Sequence, residues 1–419
     1  MIQFFKRNRL EFLGGISTFA TMAYIIILNP AIFSQAGVNE GSVMTATIIA
    51  TIISTVMMGL ISNFPIAIAP ALSITPYLAF TVINKLGFSF AQAMGAVFIS
   101  SAFLLILNVL NIRQKLVLAI PEPLRQATTC GIGFFLIIVG LEHINIIKQT
   151  QNFITYDKIF TLETLLTSLT LLTIYILSRF KIKAAFILSI LFFWAVALVF
   201  KITTYHGVIG SIPSLDPTFF QVDITPLGTK EYWAVILSVF LIALMDTSAA
   251  LISLCSCEET KKIPDLQPSL FCDSIGSMVG GIIGAGSLTF HLESYAGIKA
   301  GGKKGLTAIV TACLFIACLF IYPLVKSIPD FASSAVIIFV GYLMLQKLKT
   351  IPYKSSVEFI PSVLLIATMG VTLSIYNGLC IGFFAYAFFR LLTKNIKDVD
   401  PLFWALTVIL FLHRIFLEI

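Results

Sequence analysis

Apolar runs long enough to cross a bilayer succeed one another along nearly the whole chain, separated by short polar turns. The pattern predicts fourteen spans, at about residues 12–33, 42–62, 65–84, 88–110, 124–141, 159–178, 184–200, 232–254, 269–285, 286–299, 305–324, 332–346, 358–376 and 378–393. A spanning helix needs about 20 predominantly apolar residues, so these leave short loops and no extramembrane domain. The first run, Phe12 to Phe33, follows the basic residues Lys6, Arg7 and Arg9. It is longer than a signal-peptide core and lacks an A-x-A cleavage pattern, so it is predicted to stay as a span. A last apolar segment, Leu402 to Leu417, is short enough either to span or to lie at the interface.

The longest loop, about residues 201–231, carries Pro213, Pro217 and Pro226 and divides the chain into two halves of seven spans. Because seven is odd, consecutive halves must sit upside down to one another, the inverted-repeat arrangement of many secondary transporters. The third and tenth segments, which correspond in the two halves, are both poor helices. Pro65, Pro70 and Pro76 forbid a continuous helix in the third, which is expected to begin extended and turn helical near Pro76, with Ser73 or Thr75 as cap. The tenth, Gly284 to Ser294, alternates at its start like a strand. Broken segments at mid-membrane are tolerated where they line a cavity.

Composition agrees: 58% of the 419 residues are apolar, 11% are charged and the mean hydropathy is +0.99. Soluble domains have about 25% charged residues. The net charge of +7 suggests a nucleic-acid partner only until the positions are read, because the 27 Lys and Arg are scattered through short loops. With a cytoplasmic N-terminus, twenty fall inside and six outside, with Arg414 in the C-terminal tail, the positive-inside asymmetry of a plasma-membrane protein. The seven cysteines lie mostly within apolar runs and imply no disulfide framework, while Cys255 and Cys257 lack the companions of a metal or redox site. No metal and no cofactor is expected. Walker A, H-E-x-x-H and G-x-S-x-G motifs are all absent, which argues against ATP-driven transport and intramembrane hydrolysis.

Three carboxylates lie well within spans, Asp246, Asp273 and Glu293. At the bilayer centre each costs roughly 2.5–3.5 kcal/mol or more, so each is expected to face a cavity, a partner or water. Asp246, mid-way along span eight, and Glu293, in the broken tenth, are the leading site candidates; Asp273, near the end of span nine, suits a cap or an ion pair as well as a ligand contact. His291 is a candidate proton carrier because imidazole changes charge near neutral pH. His143, His206 and His413 fall at span ends or in loops. Gly276, Gly280 and Gly284 form a face for close helix approach.

The chain resembles the nucleobase:cation symporter 2 family, specifically its azaguanine-resistance branch of hypoxanthine, guanine and adenine permeases. The residues that carry the resemblance are Glu11 to Gly15, Thr18 to Pro30 (TFATMAYIIILNP), Asn63 to Pro70, Ile120 to Gly133 (IPEPLRQATTCGIG), Asp246 to Ser248, Asp273 to Gly276, and Glu293 to Gly297 leading to Gly301, Gly302 and the basic pair before Gly305. The resemblance implies an all-α polytopic fold with fourteen spans in two inverted repeats. It implies core segments at 1–111 and 232–325, gate segments at 112–200 and 326–397, an external linker at 201–231, a C-terminal apolar tail at 398–419, an elevator-like motion of core against gate, and a homodimer.

By motif position, Asp246 and Glu293 resemble the carboxylates that accept N–H bonds from a purine nucleobase, with Ser73, Thr75, Ser287, Thr289 and Phe290 on the facing segments. A matched polar site of this kind selects its base by leaving buried groups of a wrong one unpaired. Proton symport then has a simple form, in which protonation of Glu293, Asp246 or His291 removes a buried charge. Three departures fall on these elements. Ala71 to Leu78 reads ALSITPYL where the family usually has GMGLNAYF; Gly284 to Ser294 reads GAGSLTFHLES instead of GTSTVTSYVES; and Asp-Thr-Ser-Ala-Ala follows in span eight instead of Asp-Thr-Ser-Gly-Thr. The expected function is therefore proton-coupled import of adenine, guanine or hypoxanthine across an inner (plasma) membrane. Rival readings are the same fold carrying uracil, xanthine or another small organic anion, a transport-inactive regulator or scaffold, and a passive channel.

Overall fold

The computed structural model describes residues 8–144, 146–149, 154–156, 161–182, 184–255, 266–372, 374–393 and 399–418. Lys6, Arg7 and Cys257 of the sequence reading lie outside the described residues, as do Lys158, Lys183, Lys261, Lys262, Lys394 and Lys397 of the charge tally.

The protein is a mostly helical, polytopic membrane protein. Seven described helical stretches are long and apolar enough to cross a membrane: Arg9–Ser34, Glu40–Ser62, Phe90–Val109, Glu122–His143, Leu162–Arg179, Asp330–Thr350 and Ile375–Leu392. Four shorter apolar helices accompany them, at Ala185–Val199, Gly305–Phe320, Ser356–Thr372 and Pro401–Ile415. The first stretch is interrupted: α1 (Arg9–Met22) and α2 (Ile25–Ser34) are separated by a turn at Ala23 and Tyr24. The break lies where no proline stands, and nothing in the sequence pattern announced it.

The third and tenth segments do unwind. A strand β1 (Ile68–Pro70) precedes a wide helical segment over Tyr77–Lys85, and β4 (Leu288–Phe290) precedes the short helix over Ser294–Lys299. The strands pair antiparallel, with Ile68 opposite Phe290, Ala69 opposite Thr289 and Pro70 opposite Leu288. This corrects the all-α expectation: the unwound backbone satisfies its N–H and C=O groups partly on the other segment and partly on hydroxyls of neighbouring helices, Thr55 on Ile68 and Ser277 on Leu288. A second short hairpin joins β2 (Ile147–Gln149) to β3 (Ile154–Tyr156). Neither expected hydroxyl caps the helix after β1. Ser73 Oγ donates to Asp246 Oδ2 at 2.7 Å and Thr75 Oγ1 to Asn29 Oδ1 at 2.8 Å, while the turn closes through the backbone, Thr75 N to Ala71 O at 2.9 Å.

Helices pack closely around this pair of strands. The helix α10 (Leu266–Ile283) carries Gly276 and Gly280 as the sequence suggested. A Cβ on Gly280 would fall 2.2 Å from the Gly286 carbonyl oxygen, so the close approach of α10 to the segment leading into β4 requires glycine. The C-terminal helix α17 (Pro401–Glu418) runs antiparallel beside α16 (Ile375–Leu392): Phe403 stacks on Phe383 at 5.2 Å near one end, and Tyr376 Oη lies 2.7 Å from His413 Nδ1 near the other. The tail thus lies along a spanning helix rather than across its end. His143 and His413, at span ends, are half-buried and hydrogen-bonded, to Ser334 Oγ and Tyr376 Oη.

Candidate functional site

Asp246 sits mid-way along α9 (Lys230–Cys255), a helix whose neighbouring positions from Leu241 to Met245 are buried. At this depth its carboxylate takes the Ser73 hydroxyl as donor. Glu293 follows β4 by three residues, at the entry to the short helix over Ser294–Lys299. Tyr24 Oη donates to Glu293 Oε1 at 2.5 Å, and His291 Nδ1 stands 3.2 Å from Glu293 Oε2. His291 Nε2 lies 3.2 Å from the carbonyl oxygen of Pro70, the last residue of β1, so the histidine bridges the two unwound segments. The break between α1 and α2 is what brings Tyr24 here, and its ring stacks on Phe186 at 4.7 Å.

These groups surround a cavity of about 270 Å³. Ser73, Asp246, Thr289, Phe290, His291 and Glu293, all expected from sequence, line it. So do Tyr24, Thr129, Phe186, Val340, Met344 and Lys347, which the sequence reading did not single out. The volume is just below the ~300–1,000 Å³ usual for small-molecule sites. Thr75 and Ser287 do not line it. Thr75 holds Asn29, and Ser287 accepts Ala71 N–H on its carbonyl at 2.8 Å, so both brace the unwound segments from behind. Tyr24 and Phe186 carry no sequence signal beyond being aromatic in apolar runs. Lys347 stands at the end of the Asp330–Thr350 stretch, where the sequence shows only one more basic residue.

Asp273 is apart from the cavity. It forms a buried ion pair with Arg113, is 2% exposed, and accepts Thr247 Oγ1 at 3.1 Å. Arg113 also donates to Leu270 O at 2.8 Å and Ser274 Oγ at 2.7 Å, fixing α5 (Arg113–Ala119) to α10. The ion-pair alternative for Asp273 is the one observed. Among the described residues no group of three or more His, Cys, Asp or Glu has metal-site geometry.

Residues 9–381 match the family described as the permease family. The chain belongs to it, and is a nucleobase:cation symporter 2 permease. It is 30% identical over 415 residues to the adenine permease AdeP of Escherichia coli (strain K12), covering 98% of this chain and 93% of that protein. It is 32% identical over 418 residues to the guanine/hypoxanthine permease PbuO of Bacillus subtilis (strain 168), covering 96% of each. Among solved structures, the permease is similar in fold to the transmembrane domain of the cyanobacterial bicarbonate transporter BicA, with TM-score 0.68, 18% identity, and 90% of this chain and 98% of that one covered. The murine anion transporter Slc26a9, solved in an inward-facing state, superimposes with TM-score 0.68 at 12% identity, covering 92% and 68% of the two chains. Membership in this family makes the protein a transporter, and the apolar helices make it a multi-pass one.

Proposed function

We propose that this permease imports a purine nucleobase, adenine, guanine or hypoxanthine, by proton symport across an inner (plasma) membrane, with its N-terminus cytoplasmic. The observation that carries the reading is the cavity itself. Two intramembrane carboxylates, Asp246 and Glu293, meet there beside two unwound backbone segments, and aromatic rings at Tyr24, Phe186 and Phe290 supply flat apolar walls. A purine offers ring N–H donors at its edge and a planar face, and such a site pairs with both. The names of the relatives, adenine and guanine/hypoxanthine permeases, support the same cargo.

The finer architecture belongs to this proposal: fourteen spans in two inverted seven-span repeats, core segments at 1–111 and 232–325, gate segments at 112–200 and 326–397, an elevator-like motion, and a homodimer. The distribution of the cavity's residues supports the division. Tyr24, Ser73, Asp246 and Thr289 to Glu293 fall on the core segments, whereas Thr129, Phe186, Val340, Leu343, Met344 and Lys347 fall on the gate segments. A cargo held mainly by one body and walled by another can be carried when the first moves.

The test is equilibrium binding of adenine, guanine, hypoxanthine, xanthine and uracil to purified protein and to Asp246→Asn. The proposal expects one or more of the first three to bind and Asp246→Asn to weaken that binding at least tenfold. Binding of uracil or xanthine alone would move the cargo to the rival class, and no binding of any base would favour the regulator reading.

A further inference from the structure

The histidine at the cavity obeys a strict hydrogen count. Nε2 of His291 faces the Pro70 carbonyl oxygen at 3.2 Å, and a carbonyl only accepts, so Nε2 carries a hydrogen. Nδ1 faces Glu293 Oε2 at 3.2 Å. If Glu293 is ionised, Nδ1 must also carry a hydrogen and the ring is an imidazolium. If the ring is neutral, Nδ1 is an acceptor and Oε2 must carry that hydrogen instead. In both forms one proton lies between the two atoms and the pair has zero net charge. Without it, a nitrogen lone pair would face a carboxylate and the contact could not hold.

The two carboxylates are also unequally occupied. Glu293 has a donor on each oxygen, Tyr24 on Oε1 and His291 on Oε2. Asp246 takes Ser73 on Oδ2, and no described residue donates to its Oδ1. We propose that the proton shared by His291 Nδ1 and Glu293 Oε2 is the one transported with the cargo, which leaves Asp246 Oδ1 to the N–H-accepting role that the family resemblance already implies for it. The assignment rests on the symport reading above. It divides between two residues what the sequence left open among three.

Loss of the proton is balanced simply. The N–H bond at Nδ1 breaks, its electron pair stays on the ring, Nε2–H stays on Pro70, Glu293 remains a carboxylate held by Tyr24, and the proton leaves through the cavity. The other charged or titratable groups that face the pair are Asp246 from α9, Tyr24 from the α1–α2 break, and Lys347 at the rim. Phe186 and Thr129 face it from the gate side and carry no charge. Behind Asp246, Arg113 neutralises Asp273. The deprotonated site thus holds two uncompensated carboxylates at mid-membrane, which opposes its movement, and the protonated site holds one.

The experiment measures protons carried per base in proteoliposomes, with a trapped pH dye and labelled cargo, for the wild type and His291→Gln. The wild type is expected to carry one proton per base, so that one pH unit drives about tenfold accumulation. In His291→Gln the ratio is expected to fall to zero, with whatever uptake remains stopping at the external concentration. A ratio of one in His291→Gln would overturn the assignment. Nitrogen-15 NMR of histidine-labelled wild type gives a second test, independent of transport, because the chain has 4 histidines and His291 is assigned by its absence from the variant. Both ring nitrogens protonated at low pH, with Nδ1 alone losing its proton as pH rises, is the expected result; a bare Nε2 would overturn it. Absence of any base uptake by the wild type would overturn the symport reading, while the NMR result would still judge the proton pair.

Discussion

Replacing Arg113 by Met should damage the protein far more than its place at the start of a short helix suggests. The guanidinium is fully buried, its partner Asp273 is 2% exposed, and the two are joined by a direct ion pair. Of the acceptors Arg113 serves, the Leu270 carbonyl retains the Ser274 hydroxyl at 3.0 Å, so its loss there is small. Asp273 keeps only the Thr247 hydroxyl. The cost is therefore concentrated in one uncompensated buried carboxylate, and breaking such a pair from one side costs about 3–5 kcal/mol. Replacing both partners, Arg113→Met with Asp273→Leu, removes the stranded charge and should recover most of the loss, because buried ion pairs exchange for apolar groups at little net cost. Thermal unfolding in detergent, followed by tryptophan fluorescence, reads both. The single variant should unfold several degrees below the wild type, and the double variant close to it. A single variant as stable as the wild type, or a double variant no better than the single one, would refute the reasoning.

Glu293→Gln should weaken purine binding about 10- to 150-fold with the fold retained, since it removes the charge-assisted bonds of about 1.5–3 kcal/mol by which Glu293 holds Tyr24 and His291 in the cavity wall; calorimetric titration of the variant checks this. Glu11 accepts the backbone N–H groups of Lys303 and Lys304 at 3.1 Å and the Thr307 hydroxyl at 2.5 Å, tying α1 to the turn that precedes α12 (Gly305–Ala317). Glu11→Ala should cost about 1–3 kcal/mol and lower the unfolding midpoint without changing which bases bind. A Cβ at Gly305 would fall 1.9 Å from the Gly59 carbonyl oxygen, so Gly305→Val should yield little monodisperse protein on size exclusion.

Much of this arrangement was legible in the chain because the bilayer makes polarity informative. A carboxylate within an apolar run must have a reason, and Asp246, Asp273 and Glu293 each have one. Three prolines and a strand-like alternation gave the unwound segments, whose backbones are satisfied by pairing and by the Thr55 and Ser277 hydroxyls beside them. The sequence could not announce Tyr24. Its run is uniformly apolar, the break beside it has no proline, and its partner lies 269 residues away. Thr75 and Ser287 fall outside the cavity's lining and hold its support instead. Ser287 lies just before β4, where its carbonyl takes the Ala71 N–H and its hydroxyl faces Ser277, whereas Thr289 lies within β4 against the cavity. Lys347 stands at the end of the Asp330–Thr350 helical stretch, and the pattern of charge along the chain does not show which helix end reaches a cavity.

The central claim, a proton-driven purine importer, is tested most directly by uptake of labelled hypoxanthine, adenine, guanine, xanthine and uracil into proteoliposomes with and without an inward proton gradient. The account predicts that at least one of hypoxanthine, adenine and guanine accumulates above its external concentration when the gradient is present and only equilibrates when it is absent. No accumulation of any of these three, or accumulation that ignores the gradient, would contradict it.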